Sequence, residues 1–324
     1  MKAAIYTRYG PPDVVQVTDV EKPVPKDNEV LIKVRAASVN PLDWHFMRGT
    51  PYFVRLGAGL RRPKVTRLGV DLAGQVEAVG GNVTQCKPGD EVFGACRGAF
   101  AGYVCAVEDK LALKPANLSF EEAAAVPVAG LSALQGLRDK GGIQRGHKVL
   151  VDGASGGVGT FALQIAKSFG AEVTAVCSTR NVDMIRSIGA DHVIDYTRED
   201  FTKNGQCYDL ILAANAYHSI FDYRCALSQD GTYVMVGGGG VQALQALLLG
   251  PLLSLIGSRK MRFVSAKINK KDLVFLKDLL EARKVVPVID KRYALSGVAE
   301  ALRYLEEGHA QGKVVITVGH SSNA

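Results

Sequence analysis

The chain has 324 residues, of which 47% are hydrophobic and 22% charged, with a net charge of +7. That length predicts two domains, each able to bury a core, and the composition excludes a disordered, fibrous or collagen-like chain. The basic residues are spread out except around 55–67 and 259–271, which suits a solvated surface or an anionic ligand such as a phosphorylated cofactor, and no motif points to nucleic acid.

The chain opens with an apolar run that breaks at Thr7 and Arg8, before a signal-peptide core could form, so secretion is not expected. Strands are predicted at 2–7, 14–19 and 29–39, separated by Gly10-Pro11-Pro12 and by a turn cluster at 23–28. Further strands at 73–79 and 91–93 flank the turn Lys87-Pro88-Gly89-Asp90. Short strands with frequent turns predict a small barrel-like β domain. The six cysteines are scattered and contain no Cys-x-x-Cys pair, so neither a disulfide framework nor a metal knuckle is indicated, and a reducing, cytoplasmic location is expected.

At Ser119 the pattern changes. Ser119-Phe120-Glu121-Glu122 has the form of a capping box and predicts a helix through Ala125. Apolar strands at 148–151, 172–176, 192–194, 209–212 and 233–236 then alternate with helices, including 158–169 and 181–188. This βα alternation predicts an α/β, doubly wound parallel sheet covered on both faces. The most apolar stretch, 241–256, is too short to span a bilayer as a helix. A buried helix pair at a subunit interface or over a substrate pocket is expected there. The alternative is contact with an anionic membrane surface across 241–262, through the basic residues Arg259, Lys260 and Arg262. A helix at 271–283, a strand at 285–289, a helix at 298–307 and a strand at 313–318 complete the chain, the two strands returning to the β domain. The division is therefore 1–121 with 266–324, and 122–265.

Residues 152–159 read Asp-Gly-Ala-Ser-Gly-Gly-Val-Gly, directly between an apolar strand and a helix. Ala154, Gly156 and Gly159 take the places of the dinucleotide fingerprint, which need a tight turn, close approach of a pyrophosphate, and helix-on-strand packing. The helix N-terminus that follows favours an anion. Ala154, Ser155, Gly156, Gly157 and Val158 are thus the expected pyrophosphate cradle. An NAD-binding domain carries Asp or Glu at the end of the second strand, to hold the ribose 2'-hydroxyl. Here the residues are Cys177, Ser178, Thr179 and Arg180. Two hydroxyls and a permanent cation, with no acid, favour a 2'-phosphate and so NADP(H). Asn215 follows a strand on the side where such sheets bind ligands, and Gly237 and Gly238 end another strand there, expected to open the backbone to the nicotinamide.

Together with the glycine turn, four segments come in the order seen in medium-chain dehydrogenases/reductases. They are Ala-Ala-Ser-Val-Asn-Pro-Leu-Asp-Trp at 36–44, Gly-Val-Asp-Leu-Ala-Gly-Gln-Val-Glu-Ala-Val-Gly at 69–80, Pro-Gly-Asp-Glu-Val-Phe-Gly at 88–94 and Ala-Gly-Leu-Ser-Ala at 129–133. In particular the chain resembles the zinc-free quinone oxidoreductase branch, with its chloroplast-envelope-type reductases of activated enones. The resemblance covers nearly the whole chain and implies a GroES-like β-barrel catalytic domain, a Rossmann cofactor domain and a homodimer. It places Ser132 near the nicotinamide ribose and phosphates, Tyr196 near the adenosine phosphate, and Lys313 closing the site from the terminal segment. Asn40 is implied as a contact for substrate oxygen or nicotinamide, with stabilisation of a turn before Pro41 as the alternative. Tyr52 lies in a segment similar to the tyrosine loop of mitochondrial-type enoyl reductases, where a phenol donates a proton. Asp43 is expected to fix the loop.

The positions matching the family's catalytic zinc ligands, near 41–43 and at Gly69-Val70-Asp71, offer neither thiolate nor imidazole, so no metal is expected. Without a Lewis acid, alcohol oxidation is disfavoured. The expected reaction is hydride transfer from NADPH to a quinone or an α,β-unsaturated carbonyl. The alternatives are an NADPH-binding non-catalytic or RNA-associated crystallin-like protein, and an enoyl-thioester reductase.

Overall fold

The structure, a computed structural model, describes residues 1–52 and 54–319. Its strands are β1 (Lys2–Ile5), β2 (Gln16–Asp19), β3 (Glu29–Val39), β4 (Asp71–Val79), β5 (Glu91–Ala95), β6 (Tyr103–Val107), β7 (Leu111–Leu113), β8 (Lys148–Asp152), β9 (Glu172–Cys177), β10 (His192–Asp195), β11 (Tyr208–Ala213), β12 (Leu227–Met235), β13 (Lys260–Phe263), β14 (Ile289–Ala294) and β15 (Lys313–Thr317). Its helices are α1 (Pro41–Arg48), α2 (Val54–Ala58), α3 (Phe120–Ala124), α4 (Pro127–Gln135), α5 (Gly157–Ser168), α6 (Val182–Ser187), α7 (Ile220–Cys225), α8 (Gly240–Leu253), α9 (Lys270–Glu281) and α10 (Val298–Glu306). Two compact units emerge: 1–128 with 268–281 and 289–324, and 129–267 with 282–288. The sequence division fell at 121 and 265 and gave 282–288 to the first unit.

In the first unit β3 is the organising strand. Seven of its eleven residues are apolar, with Val30, Ile32, Val34, Ala37 and Val39 all buried, and it carries neighbours on both edges. One edge pairs along its length with β4; the other pairs first with β6 and then with β15. The sheet order is β14-β15-β3-β4-β5-β7, with β6 branching from β3. Leu72, Phe100, Leu302 and Ile316 fill the core between sheet and α10, each buried side chain of this size contributing roughly 1.5–3 kcal/mol. The Ser119 capping box forms as the sequence implied, Ser119 Oγ accepting from Glu122 N and the Glu122 carboxylate from Ser119 N.

One strand is displaced from its expected position. The apolar run Val285-Val286-Pro287-Val288 contains a residue with no N–H, and pairing with β15 begins only at Ile289. The strand that forms, β14, is an edge strand with a largely polar surface. Helix α1 was not anticipated, although its signal was present: Asn40, Pro41 and Asp43 stand at N-cap, N1 and N3.

The second unit is a six-stranded sheet in the order β10-β9-β8-β11-β12-β13, parallel at every pairing. The order reverses between β8 and β11, so the carboxyl ends of those two strands border the crevice where doubly wound sheets bind ligands. Its core holds Leu150, Ile211, Tyr223, Tyr233 and Met235, with the Tyr223 and Tyr233 rings stacked at 4.6 Å. The apolar stretch 241–256 forms one helix, α8, with Pro251 inside it, rather than the expected helix pair. Its outer face is exposed in the single chain.

Candidate active site

In the second unit the strand β8 ends at Asp152 and the glycine turn follows. Gly156 is the N-cap of α5, and no side chain caps that helix. Its first amides are therefore not met by a side-chain cap and are left for solvent or an anion to satisfy. Gly159 lacks a side chain because the protein leaves no room: a Cβ there would lie 2.2 Å from Gly153 O. At Gly156 the nearest atom to a Cβ is 3.6 Å away, so nothing in the protein itself requires a bare backbone. The turn has a vacancy that a side chain would fill and a pyrophosphate fits. Of the expected cradle, Ala154 directs its N–H to Val176 O at 3.0 Å and acts as a strut of the turn.

Asn181, which the sequence reading treated only as a helix start, ties the turn to the end of β9. Its Nδ2 donates to Ser155 Oγ at 2.9 Å and to Ser178 Oγ at 3.1 Å. Thr179 was expected to face a phosphate, but its hydroxyl donates to Asp195 Oδ2 at 2.6 Å. Asp195 stands beside Cys177 in the parallel register of β10 and β9. The Thr179 hydroxyl holds its carboxyl below the ordinary range, so it stays ionised. Tyr196, next in the chain, is 62% exposed. Ser132 lies in α4, nearly buried.

Below the turn, Asp152 is buried and accepts from the Tyr223 hydroxyl. Burial pushes its carboxyl up to about 6, against the Tyr223 bond. Asn215 is exposed at the end of β11, in the crevice. Gly237 and Gly238 also have a reason for being glycine within the chain itself. A Cβ at Gly237 would lie 2.5 Å from Ala214 O, and one at Gly238 2.7 Å from Ala216 O, so both are glycine to let the loop after β12 close on the loop after β11.

The first unit holds a buried polar cluster at the junction of β3, β4, α1 and β15. Asp71, fully buried, accepts from Ser38 Oγ at 2.9 Å, Asn40 Nδ2 at 2.9 Å and Val128 N at 3.0 Å. The Lys313 ammonium is 3.5 Å from Asp71 Oδ2 and donates to Asn40 Oδ1 at 2.6 Å. Both ends of the Asn40 amide are therefore engaged inside the protein, which leaves it no open donor for a substrate oxygen in this structure. Lys313 likewise points inward, 3% exposed, and does not face out to close a cofactor site. Burial raises the Asp71 carboxyl and lowers the Lys313 ammonium, while their mutual attraction opposes both.

Asp43 Oδ2 accepts from Asn40 N at 2.8 Å, so Asp43 does fasten the start of α1. Its Oδ1 is buried with no hydrogen-bond partner among the described residues. It lines a cavity of about 20 Å³ with Tyr6, Arg67 and Arg97, room for about one water. Burial pushes Asp43 up to about 7. Tyr52 is 72% exposed, its ring 4.8 Å from the Arg55 guanidinium.

A zinc ion does not fit this cluster. The carboxylate at the Gly-Val-Asp position is already surrounded by four donors, and a buried ammonium occupies the space beside it, which repels a dication. Among the described residues no group of three or more metal-ligating side chains comes together.

A doubly wound sheet with a small-residue turn at its switch point, in one chain with a β unit organised around β3, is the architecture of the medium-chain dehydrogenases/reductases. Residues 26–128 match the alcohol dehydrogenase GroES-like domain, and residues 188–316 match a family described as zinc-binding dehydrogenase. Over 331 residues the chain is 38% identical to 2-methylene-furan-3-one reductase of Solanum lycopersicum, covering 98% of this chain and 79% of that one. It is 34% identical, with the same coverage, to the chloroplastic NADPH-dependent alkenal/one oxidoreductase of Arabidopsis thaliana. The solved quinone oxidoreductase from Coxiella burnetii superposes with a TM-score of 0.87 at 31% identity, covering 98% of this chain and 99% of that one. The chain belongs to the medium-chain dehydrogenase/reductase family, alongside quinone and alkenal/one oxidoreductases.

Proposed function

We propose that this protein reduces quinones and α,β-unsaturated carbonyl compounds with NADPH as the reductant and without a metal. The observation that carries the reading is the open space at Gly156, beside an uncapped helix N-terminus at the sheet's switch point. The names of its relatives, an alkenal/one oxidoreductase that is NADPH-dependent and a furanone reductase, support the same substrate class.

Bound NADPH supplies the hydride. The protein's part is to hold and orient. The α5 amides and Ser155 would hold the pyrophosphate, and Asn181 fixes Ser155 against Ser178 so that the two rims of the site keep their spacing. Ser178 and Arg180 would hold the 2'-phosphate, while Thr179 is engaged by Asp195. A reduced enone or quinone gains a negative charge on oxygen and then a proton. Tyr52, exposed and with its ring beside the Arg55 guanidinium, is the proton donor we assign. Asn40 holds the β3–α1 junction through Asp71 and Lys313, and so acts through position.

The test is an acceptor panel, 1,4-benzoquinones and small enones, with NADPH and NADH in parallel. NADPH oxidation that depends on acceptor and is unchanged by chelators is expected. Failure of every acceptor to oxidise NADPH would overturn the reading.

A further inference from the structure

Helix α8 is apolar apart from Gln242, which donates to Tyr217 O, and Gln245, which accepts from Ile220 N. Ala246 and Gly250 are buried, and Ala243, Leu249 and Leu253 pack on the second unit's core. The opposite face carries Val241, Leu244, Leu247, Leu248 and Leu252, each between 57% and 67% exposed. The turn after the helix adds Leu255 at 82% and Ile256 at 64%. A helix hydrophobic all round is normally buried, and an exposed apolar patch of this kind marks a contact. Crossing a bilayer is not that contact, since α8 has 14 residues and so reaches about 21 Å, short of the ~30 Å hydrocarbon core.

Charge points to what covers the face. No Asp or Glu occurs from Gly231 to Lys271. Three cations lie around the C-terminal end of the patch, and each is bonded to a backbone carbonyl: Arg224 to Ile256, Arg259 to Ser228 and Lys260 to Ser254; Arg262, next to Met261 on β13, turns to the other face of the sheet and bonds Lys140 O. Among the described residues no carboxylate forms an ion pair with any of these three. A second copy laid on this face would present the same segment, in which no carboxylate between 231 and 271 is available to neutralise them. A surface of anionic lipid neutralises them and takes up the leucines at the same time.

We infer that α8 and the turn after it dock this protein peripherally on membranes carrying anionic phospholipid. The inference goes beyond the reductase reading and is independent of it, because docking is measured without turnover.

The experiment is co-sedimentation of the full chain with vesicles of phosphatidylcholine alone, or mixed with phosphatidylglycerol, at low and high salt. Binding to the mixed vesicles should exceed binding to phosphatidylcholine by roughly tenfold and weaken with salt. The double variant Leu244→Glu, Leu248→Glu should lose that binding while keeping its circular dichroism and NADPH oxidation. Should it fail to fold, Leu244→Ser, Leu248→Ser reads the same loss. Equal binding to both vesicle types, no binding to either, or full binding by the folded variants overturns the inference. So does a dimer in sedimentation velocity that the same substitutions dissociate, since a second copy would then be what covers the face.

Discussion

Asp43 and Asp71 share one buried cluster but not one environment. Asp71 is met by three neutral donors and an ammonium, whereas Asp43 receives a single backbone N–H and has one oxygen without a partner. Asp43 is thus the acid that takes up a proton as pH falls, near 7. Its folded value lies above the ~3.9 of an unfolded chain, so the folded form binds the proton more tightly. Stability therefore declines as pH rises from about 4 to about 7, by up to about 1.4 kcal/mol per pH unit for one proton. Asp152, raised to about 6, acts in the same direction. We expect Asp43→Asn to lessen the fall in melting temperature over that range without abolishing it; an unchanged slope would place the titration elsewhere. Two basic residues should part company. Lys313→Met leaves Asp71 buried and uncompensated, and should cost about 3–5 kcal/mol in urea unfolding. Arg180→Ala should raise the KM for NADPH at least tenfold more than that for NADH, a difference of about 1.4 kcal/mol; equal effects would remove the 2'-phosphate assignment. The residues around the turn could be named from sequence because they are consecutive and their spacing is the signal. The cluster could not, since Asp71 and Lys313 are 242 positions apart and meet only through the pairing of β15, β3 and β4.

Among the elements, the glycine turn separates two reasons for lacking a side chain. Gly159→Val sets a Cβ against Gly153 O and should cost the second unit its fold, seen as lost soluble expression or lost far-ultraviolet signal. Gly156→Ala meets open space, so it should fold normally and weaken NADPH binding by about tenfold in calorimetry, about 1.4 kcal/mol. Normal affinity in that variant would separate the turn from the pyrophosphate. Elements with a local signature were legible: the Ser119 capping box and the apolar strands β8, β9 and β11 lie close to where their patterns put them. The misplaced ones are governed by partners. β14 is polar and exists because β15 offers it an edge, while the more strand-like run before it is interrupted by Pro287. Helix α8 is written in residues that look buried, and sequence alone does not say that one of its faces stays bare.

For the molecule as a whole, ligand binding and stability are linked. NADPH at one hundred times its dissociation constant should stabilise the folded protein by about 2.7 kcal/mol, read as a higher melting temperature, and NADH at the same concentration by less. A shift equal for both nucleotides would count against selectivity for the phosphorylated one. The pairing of β15 with β3 carries a further consequence, for manufacture rather than for chemistry. Val39 and Lys313 are 274 residues apart, and a ribosome adding ~5–20 residues per second needs on the order of 15–50 s to go from one to the other. Throughout that interval the growing polypeptide presents a long apolar strand with part of one edge unoccupied, the kind of template on which nascent chains stick to each other. Holding that edge until translation delivers its last strand is a task for the cell's folding helpers, and slower codons between the two would lengthen the wait.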